Sequence, residues 1–427
     1  MLIEFRCENH RSIRDEQALS MEAVLTEEVH AEVPRGVKGC KEKLLPAVAL
    51  YGANASGKTN LILALLFLRN AVVYSQRTWA LEGGIPVEPF AWGSNRSMDS
   101  VYIITFVIGE TKYEYGLGVN ESSVAEEWLD AWPHGKKQSW FHRVHRSFKF
   151  GQAFSGENKT IEKLTRINSL FLSTAAQNNH SQVLPVYSYI NSIHSSGINT
   201  YKYAARTGKA IYTTTFLDRM ISHDVYAEML TTCPGSQDTA NLLEILIGAD
   251  VGIVDLRFVE DRNVGFLPVE SIWRAEFLHT RPEQNGWLEL EAESRGTITL
   301  YRLGLKVIEV LKQGSLLVID ELESSLHPIL AARIIRLFND PATNPNNAQL
   351  IFTTHDTQLL GNMFGEPVLR RDQVWFTEKD QEGATKLYPL TDYKPRKNEN
   401  LERGYLQGRY GAIPFLGDFK FLSGDRS

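Results

Sequence analysis

Hydrophobic and polar positions along this chain change their spacing twice. Residues 2–7 and 19–24 are short runs of apolar and β-branched character. A polar turn, Glu8-Asn9-His10-Arg11-Ser12-Ile13, lies between them, and the pattern predicts two strands. Residues 44–50 are apolar with almost no interruption, which predicts a buried strand, and residues 61–68 predict a helix. Residues 101–109 and 111–119 carry β-branched and aromatic side chains around Gly109-Glu110 and predict a hairpin. Residues 140–150 predict one further strand. The first 150 residues are therefore expected to be strand-rich apart from one helix.

From 151 to 239 the chain turns to Ser, Asn, Tyr and Thr with few clean periodicities, and helices are expected at 161–167, 183–193 and 216–230. Another begins near 240. Residues 151–250 read as an inserted helical lobe, without the sustained heptads of a long coiled coil. Strand signals return at 254–259, 271–277 and 287–291. A helix over 300–311, a strand over 316–319, a helix over 328–338 and strands over 349–352 and 374–377 then alternate, which predicts a parallel sheet. The expected division is 1–150, 151–250 and 251–427, an α/β chain with a mixed sheet, an antiparallel β lobe and a helical insert.

Chemistry enters between the strand at 44–50 and the helix at 61–68. Gly52-Ala53-Asn54-Ala55-Ser56-Gly57-Lys58-Thr59 satisfies G-x-x-x-x-G-K-[ST] at every position. Backbone N–H groups from Gly52 to Asn60, at the start of a helix, can wrap a phosphate chain and place the helix dipole against its charge. Lys58 would reach the β- and γ-phosphates of ATP, and Thr59 would ligate Mg²⁺. The strand at 316–319 ends in Asp320-Glu321. Asp320 would hold the Mg²⁺ shell, and Glu321 would orient or deprotonate the attacking water.

Two further segments gain weight from their order. Ser294-Arg295-Gly296-Thr297 precedes the helix at 300–311; by itself it reads as a helix N-cap. Its place before a strand ending in paired acids resembles the slot where ABC-type ATPases carry their signature, and that resemblance implies that the Ser294 hydroxyl and Gly296 backbone bind the γ-phosphate of an opposing subunit. Thr353-Thr354-His355-Asp356 follows a strand, and His355 there could hydrogen-bond the γ-phosphate. Ser324-Ser325-Leu326-His327-Pro328 fits a loop at a subunit boundary that starts a helix, with His327 as cap or surface residue.

In this order the motifs resemble those of the ABC-type ATPases of the SMC/RecF superfamily. Most of the chain separates Lys58 from Asp320, as in that group and unlike compact P-loop kinases. The resemblance extends to a short-armed bacterial group found in anti-phage and abortive-infection operons, of the Septu ATPase, AbiL and RloA kind. Asn9-His10-Arg11-Ser12-Ile13 resembles the N-terminal N-F-R-S segment of the superfamily, which implies a nucleotide contact for Arg11 and Ser12. Gly404-Tyr405-Leu406-Gln407-Gly408-Arg409-Tyr410-Gly411-Ala412-Ile413-Pro414 resembles the group's ending. The signature departs from Leu-Ser-Gly-Gly, with Arg295 in place of a small residue, and no Q-loop glutamine is placed. The resemblance implies a slow ATPase that works as a homodimer or higher homo-oligomer. It also implies a switch controlling an effector nuclease or toxin from the same operon, with DNA or a phage protein as a further contact. A DNA-clamping repair ATPase is the alternative use of the same engine. A nuclease of the overcoming-lysogenization type needs a C-terminal metal domain, for which about 70 residues after His355 are few.

Composition narrows this little. The 427 residues carry a net charge of -6, which argues against a protein that coats polyanions but leaves room for a local basic groove. Lys136-Lys137-Gln138-Ser139-Trp140-Phe141-His142-Arg143-Val144-His145-Arg146 could grip a nucleic acid or form a solvated strand face. Tyr201-Lys202-Tyr203 and Arg206-Thr207-Gly208-Lys209 offer the same pair of readings. Three widely spaced cysteines suit a reducing compartment, and neither a membrane span nor a signal peptide is visible, so a cytoplasmic location is expected.

Overall fold

A computed structural model describes residues 1–25, 28, 30–198, 237–249, 252–261, 272–279, 286–324, 326–362, 365–396 and 399–414. The helix expected over 216–230 and the basic segments at 201–209 lie outside these residues.

Two sheets organise the molecule. The first is antiparallel, in the order β2-β1-β4-β5-β6-β7-β8. Its strands are β1 (Leu2–Glu8), β2 (Gln17–Ser20), β4 (Ser100–Ile108), β5 (Thr111–Val119), β6 (Val124–Trp132), β7 (Gln138–Val144) and β8 (Ser147–Phe150). The second runs β16-β15-β3-β14-β13-β9. It is built from β3 (Ala47–Gly52), β9 (His194–Ser196), β13 (Leu316–Ile319), β14 (Gln349–Thr353), β15 (Val374–Lys379) and β16 (Thr385–Pro389). All its pairings are parallel except the β15–β16 edge, as the alternation of strands and helices predicted. A three-stranded meander, β10 (Ile253–Asp261), β11 (Ile272–His279) and β12 (Trp287–Glu289), stands beside them.

The parallel sheet is covered on both faces, and this is why its strands read as continuous apolar runs. Side chains alternate between two cores. Val48, Leu50, Leu316, Val318 and Ile351 face the first, shared with the antiparallel sheet and with α1 (Lys58–Thr78). Ala47, Ala49, Tyr51, Leu317, Ile319, Leu350 and Phe352 face the second. That core also takes α5 (Gln237–Gly248), α6 (Arg295–Gln313), α7 (Pro328–Asn339) and α8 (Leu401–Leu406). The helices α2 (Asn158–Leu164), α3 (Phe171–Gln177) and α4 (Leu184–Asn191) add Ile161, Leu172, Val186 and Ile190 to the first core, with α3 and α4 lying against α1.

Several elements differ from the sequence expectation, and β9, β16 and α8 have no counterpart in it. The single strand expected over 140–150 is the hairpin β7–β8, turned at His145 with φ 53°. Strand β6 was not expected at all. Its core-facing alternation is masked by Glu127, a charged residue 0% exposed. Helix α3 was also missed, because its N-terminus is capped by that same distant carboxylate, which accepts from Phe171 N at 2.7 Å and Leu172 N at 2.9 Å.

Candidate functional site

Strands β3, β14 and β13 are neighbours and parallel, so the segments that follow them emerge at one edge of the sheet. In an open α/β sheet that edge is the usual place for a ligand crevice. The phosphate loop follows β3, Asp320-Glu321 follows β13, and His355 follows β14.

The loop is clasped tightly from behind. Gly52 and Gly57 hold φ of 153° and 115°. A Cβ on Gly52 would meet Thr377 O at 2.4 Å, and one on Gly57 would meet Thr385 Oγ1 at 2.1 Å, so only glycine fits at either place. Buried hydroxyls complete the clasp. Ser56 Oγ and Thr377 Oγ1 are 2.6 Å apart, Thr385 Oγ1 donates to Ser56 O at 2.8 Å, and Ser12 Oγ lies 2.8 Å from Thr385 Oγ1. Asn60 Nδ2 donates to Ser12 Oγ at 2.7 Å, and Arg11 reaches Asn60 Oδ1 at 3.3 Å and Glu88 at 2.9 Å. Asn54 and Ala55, at the tip, are exposed. Thus the N-terminal turn flagged by its Arg-Ser pair is brought against the phosphate loop.

Lys58 folds back over its own loop, donating to Gly52 O at 2.8 Å and Ala53 O at 3.1 Å. Burial pushes its ammonium down to about 8, with Asp320, Glu323 and Glu321 pulling it back up. Thr59, exposed, donates to the Asp320 carboxylate at 2.9 and 3.1 Å across 261 residues of chain. Thr353, fully buried, ties the two acids together. Its hydroxyl donates to Asp320 Oδ1 at 2.7 Å and accepts from Glu321 N at 2.7 Å. Glu321 is exposed and sits in the left-handed region at φ 54°, so the backbone turn rather than strand alternation aims its side chain. His355 N donates to Glu323 Oε1 at 2.5 Å, while Glu323 Oε2 is buried without a hydrogen-bond partner. Burial first, and then the charge of Lys58, push the His355 imidazole below its usual range.

Sequence reasoning missed Thr353, Glu323, Thr377 and Thr385. The three-dimensional arrangement of β13, β14, β15 and β16 around the loop after β3 makes them visible. Ser294 and Gly296 lie elsewhere, at the start of α6. Ser294 Oγ accepts from Thr297 N at 3.1 Å as its N-cap, and Ser294 and Arg295 are exposed. Half of the basic residues in the stretch at 136–146 are partnered within their own sheet. Lys137 pairs with Asp130 at 2.8 Å, His142 with Glu126 at 2.6 Å, and Arg143 is buried against Glu127. His327 Nδ1 accepts from Ile329 N at 3.3 Å as the N-cap of α7. Among the described residues, no group of three or more His, Cys, Asp or Glu could hold a metal ion, and no helix is long and apolar enough to cross a membrane.

A phosphate loop between a parallel strand and a helix, with paired acids on the second strand over and a histidine on the strand between, is the arrangement of a P-loop nucleotide-binding domain. The chain belongs to the family described as "AAA domain, putative AbiEii toxin, Type IV TA system", whose profile matches residues 47–361. No curated protein matches it in sequence. Among solved structures it is similar to an SmcHead bound to the C-winged helix domain of ScpA, with 13% identity over 91% of this chain and 97% of that one, and a TM-score of 0.44. An SMC head domain from Thermotoga maritima matches at 12% identity over 91% and 98% of the two chains, TM-score 0.36. An Smc head domain with an extended coiled coil, bound to the C-terminal domain of ScpA derived from Pyrococcus furiosus, matches at 14% identity over 92% and 97%, TM-score 0.41.

Proposed function

We propose that this protein binds and slowly hydrolyses ATP as a dimeric switch in a bacterial anti-phage defence system, controlling a partner effector nuclease or toxin. The observation that carries the nucleotide part is the contact of Thr59 with Asp320 beside Lys58. It joins the phosphate loop and the acid strand with side chains of the right chemistry. The backbone from Gly52 to Asn60 wraps the phosphates, Lys58 swings from its own carbonyls onto the β- and γ-phosphates, and Arg11 and Ser12 brace the loop from the outer side. Glu321, exposed beyond Asp320, takes the proton of the attacking water. His355 donates a hydrogen bond from a ring N–H to the γ-phosphate.

The hydroxyl of Thr59 and the carboxylate of Asp320 fit Mg²⁺, which keeps most of its waters and needs few protein ligands when it arrives with a nucleotide. When bound it would neutralise charge on the phosphate oxygens. The chain's own contribution is to hold those two oxygens side by side.

In the dimer, the exposed start of α6, with Ser294 and Gly296, faces the γ-phosphate held by the other copy. Support comes from its exposure and from the ordered backbone N–H groups that Ser294 caps. The family description, which names an AbiEii toxin and a type IV system, supports the defence setting. The lobes 1–150, 151–250 and 251–427 serve as nucleotide-binding half, insert and acid-bearing half, and the site of action is the cytoplasm.

The test combines turnover with assembly. Purified protein should release phosphate from ATP slowly, and Lys58→Ala or Glu321→Gln should remove that activity. The Glu321→Gln protein should sediment as a dimer with ATP and as a smaller species without it. A protein that remains a monomer when saturated with a non-hydrolysable ATP analogue would overturn the sandwich. Co-purification of the neighbouring gene product from cells tests the effector.

A further inference from the structure

The C-terminal segment resembling its group's ending has no part in the chemistry above, yet it packs against the turn that follows His355. The turn that carries His355 is held from three directions. Glu323 takes the His355 N–H at 2.5 Å, from the loop after β13. Tyr51, on the strand leading into the phosphate loop, donates its hydroxyl to Asp356 O at 3.0 Å. From the third side, Thr357 Oγ1 donates to Glu402 Oε1 on α8 at 3.2 Å.

Helix α8 is itself anchored to the site. Tyr405 is buried with its ring 5.7 Å from that of Tyr51, edge to face, and stacked on Phe376 at 5.5 Å. Tyr410 stacks on Phe376 at 5.9 Å, and its hydroxyl donates to Glu399 at 2.5 Å. Asn400 caps α8 by accepting from Arg403 N at 2.8 Å. The glycines keep the fit close. A Cβ on Gly361 would come within 2.4 Å of Glu402 Oε2, and one on Gly404 within 2.6 Å of the Tyr410 hydroxyl. The segment thus presses a carboxylate onto the turn after β14, while Tyr405 packs on Tyr51 of the strand before the phosphate loop and Tyr410 on Phe376 of the next strand.

We propose that residues 400–413 are a positioning element for His355, acting through Glu402 on Thr357 and through Tyr405 on Tyr51. The segment does not touch the nucleotide. It sets where the histidine stands when the nucleotide is bound. The inference rests on the ATPase reading given above.

Its test uses the full chain with steady-state ATP turnover, KM and melting temperature. Glu402→Ala and Thr357→Val should each lower kcat about tenfold, with KM held within about twofold, because an interaction felt in the transition state has been loosened. The double variant should be no worse than the poorer single one, since both remove the same contact. Glu402→Gln should keep most of the rate, because its amide oxygen still accepts from Thr357. Unchanged kcat in both single variants overturns the inference, as does a fall in kcat that merely follows a fall in melting temperature. So do additive losses in the double variant. His355→Ala and Lys58→Ala are run alongside. If His355→Ala turns over like the parent, the role given to His355 has failed and the positioning role with it. If His355→Ala and Lys58→Ala are dead while Glu402→Ala and Thr357→Val are normal, the ATPase reading stands and only the positioning role is lost.

Discussion

Two polar networks of similar composition sit in this molecule and behave oppositely. Inside the antiparallel sheet, Glu127, Arg143 and Tyr115 are each at most 1% exposed. Both Glu127 oxygens are used, by Phe171 N, by Leu172 N and by the Tyr115 hydroxyl at 3.0 Å, with Arg143 at 3.5 Å. Arg143 spends its remaining donors on the carbonyls of Ser169, Arg166, Ile167 and His145. Burial pushes the Glu127 carboxyl up and the Arg143 guanidinium down, and each pulls the other back. At the edge of the parallel sheet, Lys58 leans on its own carbonyls, Glu321 points out on a left-handed backbone, and a Glu323 oxygen is buried without a partner. A saturated network fixes the position of a chain segment. An unsaturated one retains capacity for a ligand, at some cost to the fold.

Four experiments sharpen or break that contrast. The largest effect belongs to Glu321→Gln, where phosphate release should fall by about 10²–10⁴ with little change in melting temperature. A stability loss in place of a rate loss would mean that the two networks do not differ in kind. Next, Arg143→Ala should cost about 3–5 kcal/mol in urea unfolding, because Glu127 is left buried and uncompensated. ATP turnover per folded molecule should survive it. Third, ATP affinity measured by titration should be flat below pH 8 and fall above it, by up to about tenfold per pH unit. The sign follows from Lys58. Its ammonium is pushed down to about 8 in the free protein, and bound phosphate raises it again, so binding takes up a proton above pH 8 and weakens there. The smallest effect is on Ser294→Ala. Loss of the cap should cost about 0.5–2 kcal/mol, and, because Ser294 is proposed to meet the other copy's γ-phosphate, nucleotide-driven dimerisation should weaken with it; unchanged dimerisation would leave Ser294 a helix cap alone.

The same contrast explains what the sequence disclosed. Local patterns gave the phosphate loop, the acids after 316–319 and the parallel sheet, because each is written in a few consecutive residues whose burial follows one period. Strand β6 stayed hidden because Glu127 occupies a core-facing position, and α3 because its cap comes from that strand rather than from its own preceding turn. At the site, Lys58, Thr59, Asp320, Glu321 and His355 were legible from motif and order. Thr353 was not, since a threonine ending an apolar strand looks like any other until the neighbouring strand brings Asp320 within 2.7 Å. The basic stretch at 136–146 illustrates the opposite failure. Its charges stand out in the sequence, and the fold partners half of them internally.

Strand β9 contributes just three residues to the parallel sheet, but it lies against β13, where Ser196 O accepts from Asp320 N at 3.1 Å. Lys306 of α6 holds the carbonyl of Ser195 at 2.8 Å, and a side chain on Gly197 would strike Asp320 O at 2.3 Å. The polypeptide leaving at residue 198 is therefore harnessed to the main chain of Asp320 and to the helix that Ser294 begins. Because β9 touches both, a displacement there would reach Asp320 and α6 together.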